Sequence, residues 1–338
     1  MQLTEIIKKL CLSIGVSGNE NAEASEVAKE ILMQFGKTKI TPFGSVICTV
    51  NEAKENQPHL MLNAHIDQIG MIVTNIDDRG FLKVSSCGGI DRRLVLASQV
   101  TVHGIKPIKG VVCSVPPHLQ EGEAKNQKIT DIAIDIGLNK NQAEKIVSLG
   151  DRITIDGEFL YLLGEQISAP ALDDRAGCAA AIYAAYLLKD KQLNCGLTIA
   201  LSAQEETTGI GASAAAYEVA PTHALVCDVS FAYTPDIKKH EAGVMGNGGM
   251  IAFAASLNDT MSKQLVTLAK QNNIPYQIEV SGAKTSTDAD NIAQTGCGVI
   301  TGLISIPQKF MHTPVETINI KDVEAVAQLM AAYASSLV

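Results

Sequence analysis

The order of apolar and polar residues changes texture twice along the chain. Between Leu3 and Phe35 apolar positions recur with helical period. In the later part Ala24, Val27, Ala28, Ile31, Leu32 and Phe35 share one face, so the stretch reads as two helices broken at Gly15-Val16-Ser17-Gly18-Asn19. Ser17-Gly18-Asn19-Glu20 reads as a structural loop with a capping residue. Ser45–Val50 and His59–His65 read as strands. The second is apolar on both faces and runs into His65-Ile66-Asp67, the pattern of a buried parallel strand.

From Ile69 to about Leu163 short alternating strands follow one another: Met71–Ile76, Phe81–Ser85, Gln99–His103, Lys109–Ser114, Ile132–Ile136 and Arg152–Ile155. Turn chemistry separates them at Asp77-Asp78-Arg79-Gly80 and Cys87-Gly88-Gly89, and a short helix around Gln142–Ser148 ends at Gly150. Short strands without long helices describe a small β domain.

The α/β texture resumes near Gln166. Helix Ala176–Leu188 precedes strand Leu197–Ala203, which ends in Gln204-Glu205-Glu206. Helix Gly211–Tyr217 leads to strand His223–Val229. A helix over Asp259–Gln271 precedes strand Tyr276–Val280, and Ile292–Gly296 closes another helix. Strand Val299–Ile306 is followed by Pro307 and then Met311-His312-Thr313-Pro314-Val315-Glu316, before a final helix, Lys321–Leu337. The expected architecture is a three-layer αβα catalytic domain with a mixed, mostly parallel sheet over residues 1–68 and 164–338. A small β-barrel-like domain over 69–163 interrupts it.

Composition narrows the function classes. Among 338 residues, 27 basic side chains face 36 acidic ones, a formal charge of -9, which argues against nucleic acid or an anionic membrane as partner. No apolar stretch is long enough to span a bilayer, and Met1–Leu10 reads as an amphipathic helix rather than a signal peptide. The eight cysteines are scattered without a C-x-x-C pair, as expected of reduced thiols in a cytoplasmic protein.

The candidate chemistry centres on Ala171-Leu172-Asp173-Asp174-Arg175-Ala176-Gly177. One Asp at a helix start is a cap; two in a row exceed what capping needs. His65, Glu205, Glu206, Asp228 and His312 also fall at or just beyond the carboxyl ends of strands, where open α/β sheets bind ligands. Carboxylates gathered there would repel one another unless a cation sat among them. Imidazole and carboxylate without thiolate suit Zn²⁺, Co²⁺ or Mn²⁺, and there are enough groups for two ions sharing a carboxylate, about 3.5–4 Å apart. Asp67 projects to the same side as His65 and can accept its second ring N–H. Glu205 and Glu206, as neighbours on extended chain, point opposite ways. One is then a ligand and the other a general base for the metal-bound water.

Four segments in order, Ala64-His65-Ile66-Asp67, Ala171-Leu172-Asp173-Asp174-Arg175, Gln204-Glu205-Glu206-Thr207-Thr208-Gly209 and Met311-His312-Thr313-Pro314-Val315-Glu316, resemble the signatures of the tetrahedral, or glutamyl, aminopeptidases. These are cytoplasmic di-metal exopeptidases. The resemblance runs over nearly the whole chain and includes Gly88-Gly89, Pro116-Pro117-His118-Leu119 and Asp135-Ile136-Gly137. It implies that Asp173 bridges two divalent ions, zinc or cobalt with manganese also compatible. His65 and Asp228 complete one site, Glu206 and His312 the other. Glu205 is then the catalytic base, supported by Asp67, with Asp174 behind the ligands. The substrates implied are short peptides with a free amino terminus. The inserted domain would form homodimers that build a dodecamer. Gln68, Lys309-Phe310 and Gly249 depart from the usual pattern.

Three other readings compete. Gly209-Ile210-Gly211-Ala212-Ser213-Ala214 fits a dinucleotide fingerprint, but the Glu205–Glu206 pair ahead of it would repel a pyrophosphate. A glycosidase needs carboxylates from different strands about 5 Å or more apart, and aromatic platforms are missing. A di-metal deacylase or carboxypeptidase acting on N-acylated amino acids or peptides is the nearest alternative.

Overall fold

The computed structural model describes residues 2–115 and 128–337; Pro116-Pro117-His118-Leu119 lie outside them. The chain opens with α1 (Leu3–Cys11) and α2 (Ala24–Leu32), followed by β1 (Lys37–Ile40), β2 (Val46–Asn51) and β3 (His59–His65). It then enters β4 (Gly70–Ile76), β5 (Leu82–Cys87), α3 (Arg92–Val95), β6 (Gln99–His103), β7 (Pro107–Val112), β8 (Ile134–Asp135), α4 (Lys140–Ala143) and β9 (Arg152–Ile155). Next come β10 (Leu160–Tyr161), β11 (Gln166–Ala169), α5 (Leu172–Leu188), β12 (Gly196–Ser202), α6 (Ile210–Val219) and β13 (His223–Phe231). The rest is β14 (Gly249–Ala254), α7 (Asp259–Gln271), β15 (Tyr276–Ser281), α8 (Asp288–Ala293), β16 (Ile300–Lys309), β17 (Glu316–Asn319) and α9 (Ile320–Ser336).

Two sheets result. The large mixed sheet has β12, β3, β13 and β16 parallel at its centre, with antiparallel strands on both flanks. Its central strands bury both faces, which is why they read as continuous apolar runs. Leu60, Leu62 and Ala64 of β3, and Leu225, Cys227 and Val229 of β13, face the layer of α1, α2, α5, α7 and α9. Met61 of β3 with Ala224 and Val226 of β13 face α6 and α8. Strands β4, β5, β8, β7, β6 and β9 close into an antiparallel barrel. Alternate residues such as Met71, Val73, Val100 and Val102 fill its separate core.

Several elements differ from the sequence expectation. Leu160–Tyr161 pair with β11 in the large sheet, inside the stretch expected of the insert. The helix expected over Gln142–Ser148 is Lys140–Ala143, started by a capping box between Asn139 and Gln142. The helix expected to close at Ile292–Gly296 runs over Asp288–Ala293, with Thr287 as its cap. Strand β16 does not stop at Ile306 but continues through Pro307 to Lys309. Strand β14 pairs it as far as Ser305 and β17 starts at Gln308, so the proline, which has no N–H, falls between two partners.

Candidate metal centre

The carboxyl ends of β3, β12 and β13, the start of α5 and the turn after β16 converge on one spot. His65 is the last residue of β3 and Asp228 lies near the end of β13, both on the α6/α8 side of the sheet. Asp173 and Asp174 stand at the head of α5 with non-helical backbone (ψ 107° and 39°), so both carboxylates are turned off the helix axis. Asp174 does the capping: it accepts the Gly177 N–H at 3.0 Å and the His65 N–H at 3.3 Å. Its partner Asp173 is thereby left for other work.

Asp173 stands between two imidazoles. His65 Nε2 is 3.0 Å from its Oδ1 and 3.8 Å from Asp228 Oδ1. On the other side, His312 Nε2 is 3.3 Å from Asp173 Oδ2 and 3.4 Å from Glu206 Oε1. Two groups able to hold a cation result, His65–Asp173–Asp228 and Asp173–Glu206–His312, sharing Asp173. Donor atoms about 2.1 Å from one tetrahedral ion lie about 3.4 Å from each other, and the observed spacings bracket that value. Glu205 belongs to neither group; its Oε2 lies 3.9 Å from His65 Nε2.

Electrostatics point the same way. Burial pushes the carboxyls of Asp228 and Asp174 well above the usual range, and repulsion by a neighbouring carboxylate, Asp174 for the first and Asp173 for the second, adds to it. Burial also raises Glu205, to about 8, against the pull of His65 and with help from Asp288 and Glu206. Burial would lower His312, but its bonds to Asp173 and Glu206 win and raise it to about 11. Asp173 is also buried, yet the two imidazoles hold it below the carboxylate range. The cluster therefore gathers protons wherever it can, the behaviour of a pocket short of positive charge. Divalent cations supply that charge, and the imidazole–carboxylate donors fit them.

Residues that hold no cation fix those that do. The stretch from Gln204 to Thr208 is a tight turn, not extended chain as the sequence suggested: Gln204 has φ 62° and its carbonyl accepts the N–H groups of Thr207, Thr208 and Gly209. Asp67 accepts the N–H groups of Glu205 at 3.0 Å and Glu206 at 3.2 Å, and its Oδ1 is 3.5 Å from His65 Nδ1.

Three further positions had no assigned role in the sequence reading. Glu316 accepts the Asp173 N–H at 3.0 Å and the His312 N–H at 2.8 Å. Glu20, raised to about 7 mainly by burial, accepts the N–H groups of Gly18 and Gln204. Arg175 is fully buried and donates to the carbonyls of Ile66, Leu10 and Ser13 and to Gln68 Oε1, so the divergent Gln68 faces this arginine. The barrel adds a wall: a Cβ at Gly89 would lie 2.9 Å from His312 Nδ1, so only glycine fits there.

A model of the M42 glutamyl aminopeptidases matches residues 44–329. The chain is 33% identical to a putative aminopeptidase of Acetivibrio thermocellus, the match covering 96% of each chain. It is 32% identical to the lysyl aminopeptidase of Pyrococcus furiosus over 98% of this chain and 97% of that one. Among solved structures, the TET1 peptidase of Pyrococcus horikoshii, described as able to assemble into a tetrahedron or a large octahedral shell, superimposes with a TM-score of 0.87. It is 30% identical and covers 99% of this chain and 100% of its own.

Proposed function

The chain belongs to the M42 glutamyl aminopeptidase family and is an aminopeptidase; from that premise we propose that it removes amino-terminal residues from short peptides at a centre for two divalent cations. The observation that carries this reading is the sharing of Asp173 between two cation-binding groups. His65 and Asp228 would complete one site and Glu206 and His312 the other, with Zn²⁺ or Co²⁺ preferred and Mn²⁺ compatible. Bound there, the ions would acidify a water and polarise the scissile carbonyl. Glu205 stands beside them without ligating and takes the proton of the attacking water. It then returns that proton to the departing amine. Asp67 holds the turn that presents Glu205 and orients His65, and Asp174 fixes the β3 end through the His65 N–H.

We further assign residues 1–68 and 164–338 to catalysis and 69–163 to dimerisation, with dimers building a dodecamer in the cytoplasm. Support comes from apolar side chains left in solvent on the barrel, with Ile105 80% and Leu149 64% exposed. The eight cysteines are all free, and among the described residues no helix is long and apolar enough to cross a membrane.

The test is a panel of aminoacyl p-nitroanilides, free and N-acetylated, on metal-reconstituted protein. Free-amine substrates are cleaved, chelation abolishes turnover, and zinc or cobalt restores it. Cleavage confined to N-acetylated substrates, or turnover that survives chelation, would overturn the reading.

A further inference from the structure

A cleft of about 730 Å³ leads from Asp173, Glu206 and His312 along the sheet to β15. Its far end holds a carboxylate that the chemistry above does not use. Glu279 of β15 accepts hydrogen bonds from the hydroxyls of Ser230, at Oε1, and Ser305, at Oε2 and 2.8 Å. Both serines are tied to the centre. Ser230 is two residues beyond Asp228 on the same strand and so shares its face, and Ser305 of β16 is the register partner of Asp228. The Glu279 carboxylate is thereby fixed between the level of Asp228, through Ser305, and the level of Ser230, roughly 7 Å further along the strand.

A carboxylate in the cleft but outside both cation-binding groups suits a side chain of the amino-terminal residue rather than its α-amine, which sits one carbon from the scissile carbonyl. On the reading that the centre is an aminopeptidase site, we infer that Glu279 selects peptides whose first residue is basic, lysine or arginine.

Three features agree. Among the described residues Glu279 has no Lys, Arg or His in ion-pair contact, and His312, part of the centre itself, is the only basic side chain lining the cleft. Each carboxylate oxygen accepts one hydroxyl and keeps capacity for another donor, so the group is held in place and still open to a cation. Ser281, Thr285 and Thr287 line the same cleft, while Phe231 and Val280, 52% and 77% exposed, offer apolar walls to a methylene stem. An acidic first residue would meet like charge in the same place. The family description and the Pyrococcus furiosus relative name different amino-terminal residues, glutamyl and lysyl, so kinship does not decide the matter.

The experiment compares lysyl, arginyl, norleucyl and glutamyl p-nitroanilides on the metal-loaded enzyme, with L-lysine and L-norleucine as competing inhibitors. Norleucine has the lysine stem without its charge. The lysyl amide is expected to exceed the norleucyl amide in kcat/KM by about tenfold or more, as one charge-assisted hydrogen bond provides, and L-lysine to inhibit more tightly than L-norleucine. In Glu279→Gln the lysyl-to-norleucyl ratio falls towards one. A wild-type ratio at or below one overturns the inference, and that arm needs no variant to fold. An equal loss on every amide in Glu279→Gln would place the α-ammonium at this carboxylate and overturn it as well. If no free-amine substrate is cleaved at all, the aminopeptidase centre itself fails, and this inference with it.

Discussion

Glu316 offers the most direct test of how the centre is held together. It ligates nothing in the proposed scheme, yet its two oxygens accept the backbone N–H groups of Asp173 and His312, at 3.0 and 2.8 Å. Its side chain is 2% exposed, so solvent cannot replace those bonds. Glu316→Gln keeps the volume but offers one acceptor oxygen and sets an NH₂ against the second N–H. A buried N–H left without its acceptor costs about 1–3 kcal/mol, and loss of a ligand-orienting partner typically costs about 10–100-fold in metal affinity. Both Asp173 and His312 loosen at the His312–Glu206 site, so about 100-fold is expected there. The His65–Asp228 site is touched through Asp173 alone, and about tenfold is expected. Competition titration of zinc against a chromophoric chelator resolves the two steps, and thermal unfolding of metal-free protein shows whether the fold has survived. Two ions bound by a folded Glu316→Gln protein with wild-type affinity would refute the argument.

Two further outcomes follow from the same geometry. Glu205→Gln should keep both ions and lose about 10²–10⁴ in kcat, whereas Glu206→Gln should lose affinity for one ion; metal analysis beside steady-state kinetics separates them, and a reversed pattern swaps the two roles. Arg175→Met should destabilise the fold by about 3 kcal/mol or more, read as a lower denaturant midpoint, because the carbonyls of Leu10, Ser13 and Ile66 stay buried without their donor; an unchanged midpoint would count against this clamp.

The sequence showed the parts of this molecule whose pattern is set by burial on both faces. Strands β3 and β13 lie between two helical layers, so apart from the buried Asn63 their runs are apolar, and His65 and Asp228 towards their carboxyl ends mark the sheet edge. Elements governed by other forces were hidden. Strand β1 is polar and half-exposed on the sheet margin, and β14 follows the glycine-containing turn Gly246–Gly248. Strand β16 continues through a proline because a gap between neighbours happens to fall there. Arg175 shows no sign of burial in the sequence, since its acceptors are the side chain of Gln68 and main-chain carbonyls in and just after α1 and just after β3.

The same reason hides the carboxylates that support the centre. Gln204 and His312 both adopt left-handed backbone, φ 62° and 63°, at positions where the residue type gives no hint of it. Such conformations persist when their surroundings over-determine them, and here the surroundings are buried acids. Glu20 takes the N–H of Gln204, Asp67 those of Glu205 and Glu206, and Glu316 those of His312 and Asp173. The turns carrying Glu206 and His312 are thus gripped by acids that do not ligate, Asp67 and Glu20 reaching the first from far along the chain and Glu316 the second from four residues on. A sequence displays all of these as acidic residues alike. What separates them is where the fold points each carboxylate: Asp228 accepts the Val229 N–H and still lies 3.8 Å from His65 Nε2, whereas both oxygens of Glu316 are taken by backbone N–H groups. It follows that acids at the supporting positions should govern where the cations sit rather than whether charge is available to bind them.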